Sequence, residues 1–220
     1  MADINQVRSE VNGACSRYKQ EIQQIGQLEN NWNSVNNSWH AANRNYENAK
    51  NELEIKKLEA QSLLADIERR QSDEDGGNNS FAQYQLQMIR SEIVQLQERC
   101  QECDQERRRL AAQLRDIENR LNSLKQAHAE CQNYLEQVKL QMNNAAEFFQ
   151  NKLMGYNQTI GILNGASGNQ FGGAALSAAN NLGNTQTQLQ ENLKIAQDVI
   201  EQIESTLSSG DGDVKVLRRY

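Results

Sequence analysis

Proline is absent from all 220 residues. Proline removes a backbone donor and clashes inside a helix, so its absence leaves helices free to run very long. Aromatic residues make up only 5% of the chain and apolar residues of every kind 37%, against about 45–50% in an ordinary globular domain. With a mean hydropathy of −0.83, the chain has too little to fill the core of a compact globule. A narrow seam between long helices needs far less, because each helix buries little beyond its a and d positions. Long apolar runs are also missing. No stretch approaches the ~20 residues of a membrane span, and the opening residues lack a signal-peptide core. Both absences predict a soluble cytoplasmic protein. The net charge is −6 and the sequence pI about 5.1, so the chain lacks the basic face that nucleic acid or an anionic membrane requires. Its basic runs, Arg69-Arg70, Arg107-Arg108-Arg109 and Arg218-Arg219, are short and read as solvated helix faces or tail. Four cysteines are too sparse for a disulfide scaffold.

What is present is heptad periodicity. Over residues 82–149 the a positions are Leu86, Ile93, Cys100, Arg107, Leu114, Leu121, His128, Leu135, Met142 and Phe149. The d positions are Ile89, Leu96, Cys103, Leu110, Ile117, Leu124, Cys131, Val138 and Ala145. The spacing never slips, and three or four such heptads already argue for a coiled coil. Residues 3–70 carry the repeat less regularly. It starts at Ile4, Val7, Val11, Ala14 and Tyr18, continues through Trp32, Trp39, Tyr46 and Leu53, and finishes at Ala60, Leu64 and Ile67. The irregular steps near Tyr18–Ile22 and Ile25–Leu28 read as local phase shifts.

Between the two tracts, Gly76, Gly77 and a cluster of Asx residues mark a turn. A short loop between long amphipathic helices makes them antiparallel neighbours. Folding about this turn sets residue i near residue 152 minus i, and places Tyr46 against Arg107. Six glycines then fall in 155–173 among apolar residues, which reads as a packed turn or short helical piece. Leu189, Leu193, Ala196, Ile200, Ile203 and Leu207 mark a further helix. The sequence therefore predicts an all-α protein: a long antiparallel coiled-coil hairpin at 1–154 with its turn at 72–80. A Gly-rich apolar connector follows at 155–173. A shorter third helix at 174–209 forms a partial three-helix bundle, and 210–220 is a flexible tail.

Chemistry is sparse. No phosphate loop, dinucleotide fingerprint, His-Glu-x-x-His or Gly-x-Ser-x-Gly motif occurs, so no catalytic, cofactor-binding or metal residues are assigned and no cofactor is expected. One constellation has zinc-ligand types: Cys100-x-x-Cys103 and His128-x-x-Cys131. On one helix the two pairs lie ~40 Å apart, too far to share a metal. They are symmetric about residue 115.5, so two antiparallel copies of this helix would bring them together as an interchain zinc site or disulfide. The plain alternative is that cysteine is a small hydrophobe filling seam positions.

These features predict a non-enzymatic structural or scaffolding protein that self-associates or spaces partners, with no nucleic acid and no membrane. A second class is a helical secretion-system substrate or adaptor that pairs with a helical partner. A helical hairpin with tryptophans in its first helix loosely resembles proteins of the WXG type. Here Trp32 and Trp39 lie mid-helix, neither begins a Trp-x-Gly turn, and no Tyr-x-x-x-Asp/Glu signal lies near the end, so membership is not assigned.

Overall fold

A computed structural model describes residues 3–72, 80–166 and 172–217. The described residues form three helices and no strand: α1 (Ile4–Ser72), α2 (Ser80–Ala166) and α3 (Gly172–Leu217). The predicted turn falls mostly on residues 73–79, outside the described residues. Asp3 caps α1, its carboxylate accepting from Asn5 N–H at 3.0 Å, which satisfies one of the orphan donors of a first turn. The chain divides into two compact units. Unit 1 comprises Met1–Gln27 with Asn122–Tyr220, and unit 2 comprises Leu28–Leu121.

Unit 2 is a pair of helical segments. Trp32 meets Glu118, Tyr46 meets Arg107, Glu52 meets Arg99 and Lys56 meets Glu92. As numbers rise on α1 they fall on α2, so the segments are antiparallel. Ala42, Ala49, Leu53, Leu110 and Ile117 are buried between them. Near Ser72 and Ser80 the seam passes through Ala60, Leu63 and Ile67 of α1 against Ala82 and Leu86 of α2. Leu64, assigned to the seam by its heptad position, is 38% exposed, and Leu63 packs in its place. From Ala60 a step of three reaches Leu63 and a step of four then reaches Ile67, an equally good helical stripe.

Unit 1 is where three helices share a core. Val11, Ala14, Tyr18 and Ile22 of α1, Leu135, Val138 and Met142 of α2, and Ala196, Val199 and Ile203 of α3 form one buried cluster. Lys139 bonds Glu204 at 2.7 Å and Gln186 bonds Asn157 at 2.7 Å, so α3 runs antiparallel to α2.

Three predicted boundaries move. Residues 155–166 are not a break: α2 continues through them to Ala166, and only 167–171 of the proposed connector fall outside the described residues. Each glycine costs a helix about 1 kcal/mol relative to alanine, but without proline nothing forces a stop. The Thr159 hydroxyl donates to the Gly155 carbonyl at 2.9 Å, and α3 supplies the lateral contact at Asn157. The third helix is longer than 174–209, running Gly172–Leu217. The proposed tail therefore continues α3 to Leu217, and residues 218–220 lie outside the described residues.

Gly210 shows what carries the helix past 209. A Cβ there would sit 2.5 Å from Tyr18 Cε1 and 2.8 Å from Ile22 Cδ1. The absence of a side chain lets α3 close onto α1. Tyr18 cannot swing aside, being fully buried with its ring against His128 at 4.3 Å. Gly210→Ala should therefore destabilise the protein by about 1–3 kcal/mol, the usual cost of overpacking. Gly183 is helical too, but a Cβ there meets nothing within 4 Å, so Gly183→Ala should stabilise by about 0.5–1 kcal/mol. Chemical denaturation of both variants checks the contrast; equal effects would mean that Gly210 is not packed.

Candidate functional site

The titratable residues singled out in the sequence lie in different units. Cys100 and Cys103 are half-buried in unit 2, while His128 and Cys131 are buried in unit 1. The latter two are engaged by α1: the His128 ring stacks on Tyr18 with a 31° tilt, and the Cys131 thiol lies 3.5 Å from the Ala14 carbonyl. An interchain zinc or disulfide through His128 and Cys131 would require α1 to leave. Burial pushes the Cys131 thiol up, and the nearby Glu21 carboxylate adds to the shift. Burial also raises the Cys100 thiol. A thiol held protonated is a poor nucleophile and a poor metal ligand. Among the described residues, no group of three or more His, Cys, Asp or Glu side chains converges as a metal site.

Glu21 is a buried residue that the periodicity does not flag. Its Oε2 lies 3.7 Å from His128 Nδ1, with both side chains about nine-tenths buried. Neither atom has a hydrogen-bond partner. The pair is thus held by proximity rather than by an aligned bond, inside the apolar core that Tyr18 and Cys131 share. The sequence signal was the phase step between Tyr18 and Ile22: the seam widens there, and the residue before Ile22 turns inward.

A groove of about 630 Å³ opens between α1 and α2 in unit 1, with Glu10, Arg17, Glu21 and Glu130 among its walls. α3 contributes none of its lining residues. Tyr134, also in the wall, has its phenol raised by burial and then by Glu10. The groove therefore offers carboxylates, the Arg17 guanidinium and neutral groups, but no activated nucleophile among its lining residues.

Unit 2 carries the other polar interruption of the seam. Arg107 lies 4.7 Å over the Tyr46 ring, where the fold-back arithmetic placed it, and bonds Asp104 at 2.6 Å. Asp104 also takes Arg108 at 2.7 Å. The hydrogen bond from Arg107 holds the Asp104 carboxyl below its ordinary range, helped by Arg108 and opposed by desolvation.

One face of unit 2 is furrowed. Two adjoining depressions of about 640 and 500 Å³ share Lys56. Their walls are the stripe 52, 56, 59, 63, 66 of α1 and the stripe 81, 85, 88, 92, 95, 99 of α2. Steps of three and four make each stripe a single helix face. Large apolar side chains stand open along it: Phe81 is 69% exposed, Tyr84 60% and Ile55 58%. The sequence did not mark these residues, which lie outside the a and d positions.

No protein-family profile, curated protein or solved structure matches the chain.

Two predictions concern the seam. Removing His128 alone leaves the buried Glu21 side chain without this polar neighbour in an apolar surrounding, so His128→Leu should cost about 1–3 kcal/mol. The double variant Glu21→Leu with His128→Leu replaces both buried polar side chains by apolar ones and should recover most of that loss. Urea titration of the single and double variants checks this, and additive losses would mean the two residues are uncoupled. Arg107→Leu exchanges a cation–π contact of about 0.5–1 kcal/mol and a largely solvent-screened ion pair for about 1–2 kcal/mol of apolar burial at a half-buried site. Thermal melts of Arg107→Leu should therefore shift upward. A lowered midpoint would show the Tyr46–Arg107–Asp104 cluster to be worth more than leucine burial.

Proposed function

We propose that the protein is a non-enzymatic helical scaffold of the cytoplasm that self-associates or spaces partners through its helix faces. The observation that carries this reading is the furrow of unit 2, with Phe81, Tyr84, Met88 and Ile55 open to water. Isolated exposed apolar residues are ordinary, but a contiguous run inside a furrow marks an interaction surface. Aromatic residues and methionine are the types enriched at interface cores. A groove between two antiparallel helices has the shape to accept further helices.

The lack of a catalytic constellation in the sequence supports a role without chemistry. The acidic composition and the want of a basic face argue against a nucleic-acid partner. Among the described residues, no helix is long and apolar enough to cross a membrane.

The second reading is an adaptor or secretion substrate whose furrow takes the helix of another protein. Charge favours it to one degree: four acids, Glu52, Glu59, Asp66 and Glu92, stand against Lys56 and Arg99 along the walls. A foreign helix with basic flanks would answer that excess.

Light scattering across a concentration series separates the readings. Self-association requires a mass above the 25.0 kDa of one chain, rising with concentration. A mass fixed at one chain up to high micromolar concentration would remove self-association and leave the adaptor reading.

A further inference from the structure

We propose that the groove of unit 1 binds a linear aliphatic polyamine, whose ammonium groups meet carboxylates spaced along the walls of α1 and α2. Binding there does not depend on whether the chain self-associates.

The groove, at about 630 Å³, has the size of a small-molecule site, about 300–1,000 Å³. Glu10, Glu21 and Glu130 line it against a single base, Arg17. Among the described residues, neither Glu10 nor Glu130 pairs with a lysine or arginine. Each accepts instead from a neutral amide, Gln6 and Gln126 respectively, at 3.0 Å.

Glu21 adds what surface acids alone lack. Its side chain is nine-tenths buried and lines the groove, and its Oε2 has no hydrogen-bond partner. His128 Nδ1, at 3.7 Å, makes no bond with it. A buried polar atom left unpartnered is costly. An ammonium group at this end of the groove brings the missing donor.

Spacing selects the ligand. Glu10 and Glu21 stand eleven residues apart on α1, about 16 Å at 1.5 Å per residue. Glu130 faces the stretch between them, because Cys131 lies against Ala14 and His128 against Glu21. Among the described residues, no three acidic, histidine or cysteine side chains converge as a metal site. A single ion therefore does not match these positions, whereas a flexible chain with several ammonium groups reaches each in turn. A linear tetraamine has about that reach when extended. Its methylenes would lie along Ala14 and Ala127, and beside Gly13, where even a Cβ would meet nothing within 4 Å. Tyr134 stands in the wall close enough to Glu10 to feel its charge, and its ring suits a terminal ammonium. Arg17 opposes a cation. It is exposed, so it can be changed without disturbing the core.

Calorimetric titration of spermine into the full chain at low salt tests the site. One saturable site per chain is expected. Glu10→Gln and Glu130→Gln should each weaken binding about two- to fivefold, the range of an exposed ion pair. Arg17→Gln should strengthen it by a similar factor. Glu21→Gln should weaken it too, with circular dichroism checking that the variant folds. Glu98→Gln makes the same charge change at an exposed position of unit 2 and should leave the affinity unaltered. Putrescine, too short to span from Glu10 to Glu21, should bind more weakly than spermine. Bound spermine should slow alkylation of Cys131, which lines the groove, and leave that of Cys100 and Cys103 unchanged. Failure to saturate, or an equal loss in Glu98→Gln, would mean diffuse attraction to an acidic chain and overturn the site. Equal affinity for the two amines would overturn the spanning pose. A capped trilysine peptide that binds more tightly than spermine would assign the groove to a basic protein segment and overturn the polyamine.

Discussion

The structure depends on one constraint: the apolar side chains of α1 and α2 must stay in phase as the helices pass each other. With so little apolar material to place, every seam position matters. In α2 the run from Leu86 to Phe149 meets this condition throughout, since none of its a and d residues is exposed. The polar exterior follows from the same economy, because a seam narrower than a globular core leaves most of each helix in water. The absence of proline is its covalent counterpart, for a single interior proline would cost about 3 kcal/mol and kink the helix.

The two units resolve the seam differently. In unit 1 the third helix adds Ala196, Val199 and Ile203 to the core, and the largest fully buried side chains, Val11, Tyr18, Leu135, Val199, Ile203 and Thr206, all lie there. Such enclosure raises the stakes of polar groups, which is why Glu21 and His128 stand out. In unit 2 two helical segments share a seam that is half-wet along much of its length. Arginine and cysteine are tolerated there, and cross-helix ion pairs such as Lys56–Glu92 sit at its margin.

Much of this was legible in the residues. Arg107 was expected on Tyr46 because a Gly-Gly turn with equal heptad tracts fixes an approximate pairing, and an arginine among leucines needs an aromatic face. What escaped the pattern has physical causes. The repeat does not distinguish Leu63 from Leu64, since both lie a helical step from Ala60. It put Ile200 and Leu207 on the inner face of α3, yet Val199 and Thr206 are the more buried. A helix lying on two others buries a wider stripe than a two-helix seam, and its centre shifts accordingly. Thr206 meets its polar need locally, its hydroxyl donating to the Gln202 carbonyl at 2.8 Å. Glycine misled twice. At 155 and 161 it was read as a breaker, although a packed helix tolerates it. At 210 it was read as tail, although its missing side chain is the contact. The furrow escaped as well, because residues such as Phe81 and Tyr84 belong to no repeat.

The distribution of the four thiols gives the molecule a built-in chemical clock. Cys15 and Cys131 are enclosed in unit 1, whereas Cys100 and Cys103 of unit 2 are reached by solvent. An alkylating reagent should modify the second pair in the folded state, Cys131 slowly from the groove it lines, and Cys15 only when helices part. The rate of the Cys15 reaction reports the opening free energy of the three-helix core, with no label added. The unmodified chain can thus record the stability of one unit while the other remains accessible.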